Sequence, residues 1–379
     1  MNLFEIGVLD DPYPAYAELR EAGALHHTDD GYWCVTRYED ISRLLRDSSL
    51  VSGTGVADSL GLHEGPLYDA MGTWLMAIDG APHARARRLV SAMFTPRAVE
   101  GMRADVVGIV DAAVDAMVAT TAADGTVDLV PTVAFVVPLQ VVRALFGVPA
   151  DEWRDRVEVL FATAPSPVAL MDGLADWLRD LVARRRSAPG DDMFSHLFRP
   201  DDAGEQLSDA ELVANGILLI TAGIETTVSL IGNVVLTVWG HGQAEAARGD
   251  VVNAVEEVLR FETPALTTSR RTTTPVEVGG ATVPAGANVL FALAAGNRDP
   301  RRYQEPDRFD VFRRDVRPLG FGGGAHACIG AALARLEAQV TLSRLLERFP
   351  ALEVDSEHVV RRRDNPTVRG PAQLIVRPR

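Results

Sequence analysis

Apolar residues recur at helical spacing through roughly the first two thirds of the chain, then give way after Phe261 to short alternating runs broken by turn residues. The pattern predicts helices over residues 14–22 and 38–47, with strand-like alternation at 32–36 between them. Residues 51–75 mix Gly and Ser with scattered apolar positions and read as a long surface loop, a kind of segment that is often functional. Residues 82–186 are mainly helical in pattern, and Pro165-Ser166-Pro167 should end or bend the helix they meet. Residues 187–208 are rich in Asp, Pro and Gly, yet Met193, Phe194, Leu197 and Phe198 make them a helix-to-helix connection and not a domain boundary.

Residues 212–239 are apolar on nearly every face and long enough to raise the question of a membrane span. Asn215, Glu225, Thr226, Thr227 and Asn233 interrupt the run, and no aromatic-basic flanks frame it. A helix crossing the core of a large protein is apolar all round, and that is the expectation here. Ser208-x-x-Glu211 supplies a capping box at its start. Beyond Phe261 the pattern predicts strands at 275–278, 282–283 and 289–294, a last helix over 329–348, and short strands near Glu353 and at 373–376. There is no internal repeat.

Length and composition narrow the class. At 379 residues, 47% hydrophobic and 23% charged, the chain can bury a large core without a disulfide or zinc staple. Its two cysteines, Cys34 and Cys328, are far apart, which argues against a disulfide framework and a structural zinc site. The first residues lack the basic and apolar regions of a signal peptide, so a cytoplasmic location is expected, with no membrane association and a monomeric state. The formal net charge is −15 and every cationic side chain is arginine, a poor balance for binding nucleic acid.

Chemistry concentrates around Cys328. In Phe321-Gly-Gly-Gly-Ala-His326-Ala-Cys328-Ile-Gly330, three glycines permit positive φ and close backbone approach to something flat or bulky. Cys328 falls where a helix begins, so free N–H groups and the positive end of the dipole favour a thiolate. Gly330 removes bulk just past it. A thiolate held this way suits haem iron as an axial ligand. An inert buried cysteine is the plain alternative for any isolated cysteine, and Cys34, in a predicted strand, is read that way.

Three further patterns accompany the loop. Ala222-Gly223-Ile224-Glu225-Thr226-Thr227 places an acid and hydroxyls in an apolar helix, which is costly unless they are satisfied or useful. Thr226 can bond back to the carbonyl of Ala222 and loosen the helix, and Gly223 leaves room for a ligand. Glu257-Val-Leu-Arg260 lies off the apolar stripe of Val251, Val255, Val258 and Leu259, so periodicity alone predicts a solvated pair worth about 0.2–0.5 kcal/mol. His83 and Arg87 share a helical face with Val90 and Phe94, and there they need a buried anion, while Arg85 and Arg88 point the other way.

The ten-residue cysteine loop resembles the haem-binding signature of the cytochrome P-450 superfamily at every fixed position, and the other patterns follow in the family's order over nearly the whole chain. The resemblance implies a mainly α fold with smaller β-sheets, a triangular prism holding haem between a long central helix and the helix after the cysteine loop. It implies one domain over residues 1–379, with a helix-rich core at about 80–265 and β-rich parts at about 20–55, 265–300 and 350–379. The cofactor would be haem b, bound through Cys328 and framed by Phe321, Gly322, Gly330, Ala222 and Gly223. His83, Arg87, Arg270 and His326 would hold its propionates, with Arg271 a neighbour competing with Arg270.

By the same resemblance Glu225 and Thr226 would deliver protons to dioxygen, and Glu257, Arg260 and Arg308 would form a buried structural network. Pocket segments would be 55–75, 160–172, 215–226, 265–268 and 366–370, with Leu218, Ala222, Ala265, Leu266 and Thr267 lining the cavity. The implied activity is monooxygenation, most simply hydroxylation of a small organic substrate in bacterial specialised metabolism. No flavin or iron–sulfur segment is present, so electrons would come from a ferredoxin, docking on a positive patch of Arg85, Arg88 and Arg335. Peroxide-driven oxidation, oxidative C–C coupling and a haem-thiolate sensor use the same core. The intact Glu225-Thr226 speaks against the first and the last, and no H-E-x-x-H set supports a metal hydrolase.

Overall fold

The long helix runs from Asp209 to Gly240, and its start follows the capping-box expectation. Ser208 N donates to Glu211 Oε2 at 2.8 Å, and Glu211 N donates to Ser208 Oγ at 3.2 Å. The computed structural model describes residues 3–29, 31–52, 64, 66–201, 203–356, 359–361 and 365–379. Most of the long helix is buried, as a core helix should be and a lipid-facing one need not be. By its internal contacts the chain falls into two compact units: Met1–Val51 with Val106–Pro138 and Glu225–Arg379, and Ser52–Asp105 with Leu139–Ile224.

The first unit carries the sheets. Leu25–His27, Trp33–Val35, Asn288–Ala292, Thr267–Thr272 and Leu50–Val51 lie side by side in that order. Trp33–Val35 runs parallel to its partner, with Cys34 opposite Leu290, and the remaining pairings are antiparallel. Val276–Val278 and Ala281–Val283 form a hairpin turned at Gly279 and Gly280, whose φ values of 59° and 84° suit the tight two-residue turn. The strand expected over 289–294 stops at Ala292, because Leu293–Asn297 turns into a short buried helix. Thr267–Thr272 is a strand without apolar alternation, held inside the sheet between Asn288–Ala292 and Leu50–Val51 by its neighbours. The helix Val251–Phe261 packs on Ala331–Arg348 through Val255, Val258, Leu259, Ala338 and Leu342. Asn233, a polar interruption of the long helix, donates from Nδ2 to the carbonyls of Glu262 and Arg369, both at 3.0 Å.

In the second unit the proline break appears as a helix start. Pro167–Ser187 begins on Ser166, whose hydroxyl accepts from Ala169 N at 3.2 Å. The connection after it folds a short helix, Met193–His196, and stacks Phe194 on Phe146 with ring centroids 4.4 Å apart. Asn215 is likewise satisfied: Oδ1 accepts from Leu75 N at 3.0 Å and Nδ2 donates to the Glu211 carbonyl at 2.9 Å. Of the expected loop at 51–75, residues 53–63 and 65 lie outside the described residues, and Pro66–Met71 is helical.

Candidate active site

Cys328 is exposed, on a loop whose backbone is tied back on itself. Its N–H donates to the Phe321 carbonyl at 2.8 Å, and Gly322 N donates to Leu319 O at 2.7 Å. Gly322 and Gly324 take φ of 68° and 67°, values that favour glycine. The close approach expected of these glycines is made to protein: a Cβ on Gly324 would collide with the carbonyl oxygen of Leu45. At Gly330 no atom of the described residues beyond its chain neighbours and its own helix stands within 4 Å of a would-be Cβ, so packing against them does not call for glycine there. The following helix starts at Ala331 with Gly330 as its N-cap, and His326 closes the short turn Gly324–His326 before the cysteine.

Arg335, on that helix, is not a free surface cation. It donates to Glu256 Oε2 at 3.0 Å and lies 4.4 Å over the ring of Phe321. Glu257 and Arg260 correct the periodicity reading, since both side chains are fully buried. Residues 254–261 are covered on every side except at the half-buried Glu256, so an apolar stripe no longer marks the inner face. Arg260 donates to both oxygens of Glu257, at 2.7 and 2.8 Å, and to the carbonyls of Asn297 and Pro306. The third member expected of this network, Arg308, is mostly exposed and pairs with Glu305 and Asp310, contributing only its carbonyl to Arg260. Arg313 takes the place assigned to it, donating from Nε to Glu257 Oε1 at 3.0 Å from a largely buried position. No sequence pattern pointed to Arg313.

On the strand Thr267–Thr272, Arg270 is buried and Arg271 is turned to solvent, where it donates to the Gly286 carbonyl at 3.1 Å. Arg270 Nη1 donates to its neighbour's carbonyl, Ser269 O, at 2.6 Å. Just before this strand the pocket expectation fails for Leu266, which is fully buried in the cluster of Leu3, Ile6, Tyr13 and Tyr16. Alternation along an extended segment turns 265 and 267 the other way. Ala265 is half-buried, and Thr267 keeps a buried hydroxyl with no hydrogen-bond partner among the described residues.

Glu225 and Thr226 lie at the start of this unit's half of the long helix, both only half-buried although most of Val228–Val238 is buried. Asn365 Nδ2 donates to Glu225 Oε1 at 3.1 Å. Asn365 belongs to the segment that runs beside 264–268: Leu266 N donates to Thr367 O at 2.9 Å, and Arg369 N to Pro264 O at 2.8 Å. The sequence reading missed Asn365, a lone amide in a polar stretch.

In the second unit, His83 is buried on the helix Gly80–Ser91 and Arg87, one turn on, is half-buried. Leu218 is buried, Gly223 half-buried and Ala222 exposed, so the helix surfaces at the residues singled out for ligand contact. Arg85 and Arg88 do point to solvent, but carboxylates meet them. Arg85 pairs with Glu211 at 2.7 Å and Glu205 at 3.6 Å, and Arg88 pairs with Glu205 at 2.9 Å and with Asp201. The positive patch expected from Arg85, Arg88 and Arg335 is therefore largely neutralised in place. A chain with Asp and Glu in excess of Arg supplies partners for most surface cations.

The donor set fits a haem. In the first unit an exposed thiol, Cys328, stands before a helix, Arg270 is buried on a strand, and the buried Thr267 hydroxyl has no hydrogen-bond partner among the described residues; in the second unit His83 is buried and Ala222 exposed. Among the described residues no cluster of His, Cys, Asp and Glu could hold a bare metal ion.

Comparison with known proteins points the same way. The family model described as Cytochrome P450 matches residues 251–376. Cytochrome P450 107B1 of Saccharopolyspora erythraea is 38% identical over 99% of this chain and 97% of its own length. The 6-deoxyerythronolide B hydroxylase of the same organism is 36% identical over 97% of this chain and 96% of its own. Among solved structures, the cytochrome P450 PksS of the bacillaene polyketide synthase of Bacillus subtilis 168 superposes with a TM-score of 0.88 at 27% identity, covering 100% of this chain and 99% of that one.

Proposed function

Because the chain belongs to the cytochrome P450 family and is a haem-iron monooxygenase, we propose that it hydroxylates a small, mainly apolar organic molecule in bacterial specialised metabolism. Haem, read here as haem b, supplies dioxygen activation when bound. Cys328 would hold the haem iron through its thiolate, an electron-donating ligand. His83, Arg87, Arg270 and His326 would neutralise the propionates, with Phe321, Gly322, Gly330, Ala222 and Gly223 framing the ring. The Thr226 hydroxyl and the Glu225 carboxyl would hold and relay the protons that dioxygen activation consumes. Leu218, Ala222, Ala265 and Thr267 would face the substrate, with Thr267 the polar group that fixes orientation. Electrons would come from a ferredoxin and its reductase, and the protein would act in the cytoplasm.

The observation that carries this reading is the acid–hydroxyl pair. Glu225 and Thr226 interrupt a core helix at the point where it surfaces, and Glu225 is held by a side chain from the segment beside the expected pocket. A haem sensor has no use for such a pair. The 6-deoxyerythronolide B hydroxylase, at 36% identity, supports hydroxylation over coupling. Turnover is tested with ferredoxin and reductase against peroxide alone. Thr226→Ala should keep haem yet divert reducing power to peroxide, and Glu225→Gln should slow turnover by about 10²-fold or more. Unchanged rate and coupling in both variants overturns the reading.

A further inference from the structure

The amide of Asn365 has its orientation set before it meets Glu225. Its Oδ1 accepts two hydrogen bonds from Thr367, from the backbone N–H at 3.0 Å and from the hydroxyl at 2.7 Å. With both donors on the oxygen side, the Nδ2 group is forced to face away from Thr367, and there it donates to Glu225 Oε1 at 3.1 Å. Flipping the amide would set its NH2 against the Thr367 N–H and leave an oxygen facing a carboxylate. Thr367 is itself anchored, because its carbonyl accepts from Leu266 N at 2.9 Å and Leu266 is locked in the core. Ala265 and Val368 bridge the same two segments.

We propose that Asn365 is the positioning residue of the proton-delivery acid, fixing the Glu225 carboxylate and tying it to the paired segments 264–268 and 365–369. The inference rests on the reading of Glu225 as that acid. A substrate pressing on Thr267 or on residues 366–370 moves the frame that holds Asn365, so occupancy of the pocket and the aim of the carboxylate change together. The Asn365 amide, at 3.1 Å, gives the Glu225 carboxylate a donor of fixed direction. Misplacing a catalytic group by about 1 Å can cost about 10²-fold in rate.

Asn365→Asp separates the two jobs of the amide. Aspartate keeps an oxygen for both Thr367 donors but turns a carboxylate toward Glu225. In the haem-loaded enzyme the variant should lower kcat and raise the peroxide fraction by about tenfold or more. The Michaelis constant and the substrate-induced spin shift should stay in place. Thr367→Val, which removes one of the two donors, should move kcat the same way by a smaller factor. Thermal unfolding gives an independent readout: Asn365→Asp should lower Tm beside Glu225 and not in a Glu225→Gln background, where the new carboxylate regains a donor. Unchanged kcat and coupling in Asn365→Asp, with Glu225→Gln impaired, overturns the positioning role and leaves the acid standing. A Tm loss of equal size in both backgrounds, or a loss confined to substrate affinity, also overturns it. An unimpaired Glu225→Gln removes the acid itself.

Discussion

Arg313 Nε lies 3.0 Å from Glu257 Oε1, so a fully buried carboxylate is shared between two guanidinium groups, one from its own helix and one from a segment that follows. Burying charge costs more than the pair returns unless the remaining acceptors are filled. Here the Asp310 N–H, at 3.1 Å, supplies a further donor.

Arg313→Ala should therefore destabilise the protein by about 1–3 kcal/mol, the range for a lost hydrogen bond to a buried charge. Arg260→Ala, which strips the carboxylate of its closest partner, should cost about 3–5 kcal/mol. Arg308→Ala should fall within about 1 kcal/mol of the parent, because its side chain makes only exposed pairs. Denaturant unfolding monitored with haem retention checks the order.

The two cysteines should part company in both spectrum and reactivity. Cys328→Ser should abolish the red-shifted Soret band of the reduced carbon monoxide complex, and Cys34→Ser should leave it. Burial pushes the Cys34 thiol up to about 12, so it should resist alkylation in the native protein and react only after unfolding. Mass spectrometry of protein labelled before and after denaturation checks this.

Leu266 and Thr267 are adjacent but should respond in opposite ways. Leu266→Phe overfills the cluster around Leu3 and Ile6 and should cost about 1–3 kcal/mol with ligand binding intact. Thr267→Val should leave the melting temperature nearly unchanged and alter substrate affinity or regioselectivity. Ligand titration by spin-state shift, set beside a melting curve, distinguishes them.

Glu337, on the helix after the cysteine loop, gives a pH dependence. It is almost fully buried, and Oε2 has no partner among the described residues; desolvation pushes its carboxyl up to about 8. Between the ordinary carboxylate value and about 8 the folded protein keeps a proton that the unfolded chain has released. Stability from this group is therefore complete in acid and falls as pH rises, by about 1.4 kcal/mol per unit at most. Glu337→Gln should flatten the fall in Tm between pH 5 and about 8 and stabilise the protein at neutral pH. An equal slope in the two proteins would contradict it.

Local rules made much of the site legible. The capping box at Ser208 and Glu211 and the glycine loop before Cys328 are chemistry written in a few adjacent residues, and both could be read directly. Periodicity failed where burial is not one-sided: Glu257 and Arg260 look solvated on a helix that is covered nearly all round. Thr267–Thr272 gave no strand signal because its place in the sheet comes from its neighbours and not from its own side chains. Ala265, Leu266 and Thr267 were read as lining one cavity together, but consecutive residues of an extended segment face opposite ways, and Leu266 packs in the core. Arg313 and Asn365 act through partners distant in sequence, and nothing near either residue announces them.

The parallel pairing of Trp33–Val35 with Val289–Phe291 also fixes an order of events at birth. Ribosomes add about 5–20 residues per second, so the early strand waits roughly tens of seconds for its partner to emerge. Until then Trp33, Cys34 and Val35 have no partner on that side of the sheet, and about three quarters of the chain must be made before this early strand is sealed between neighbours.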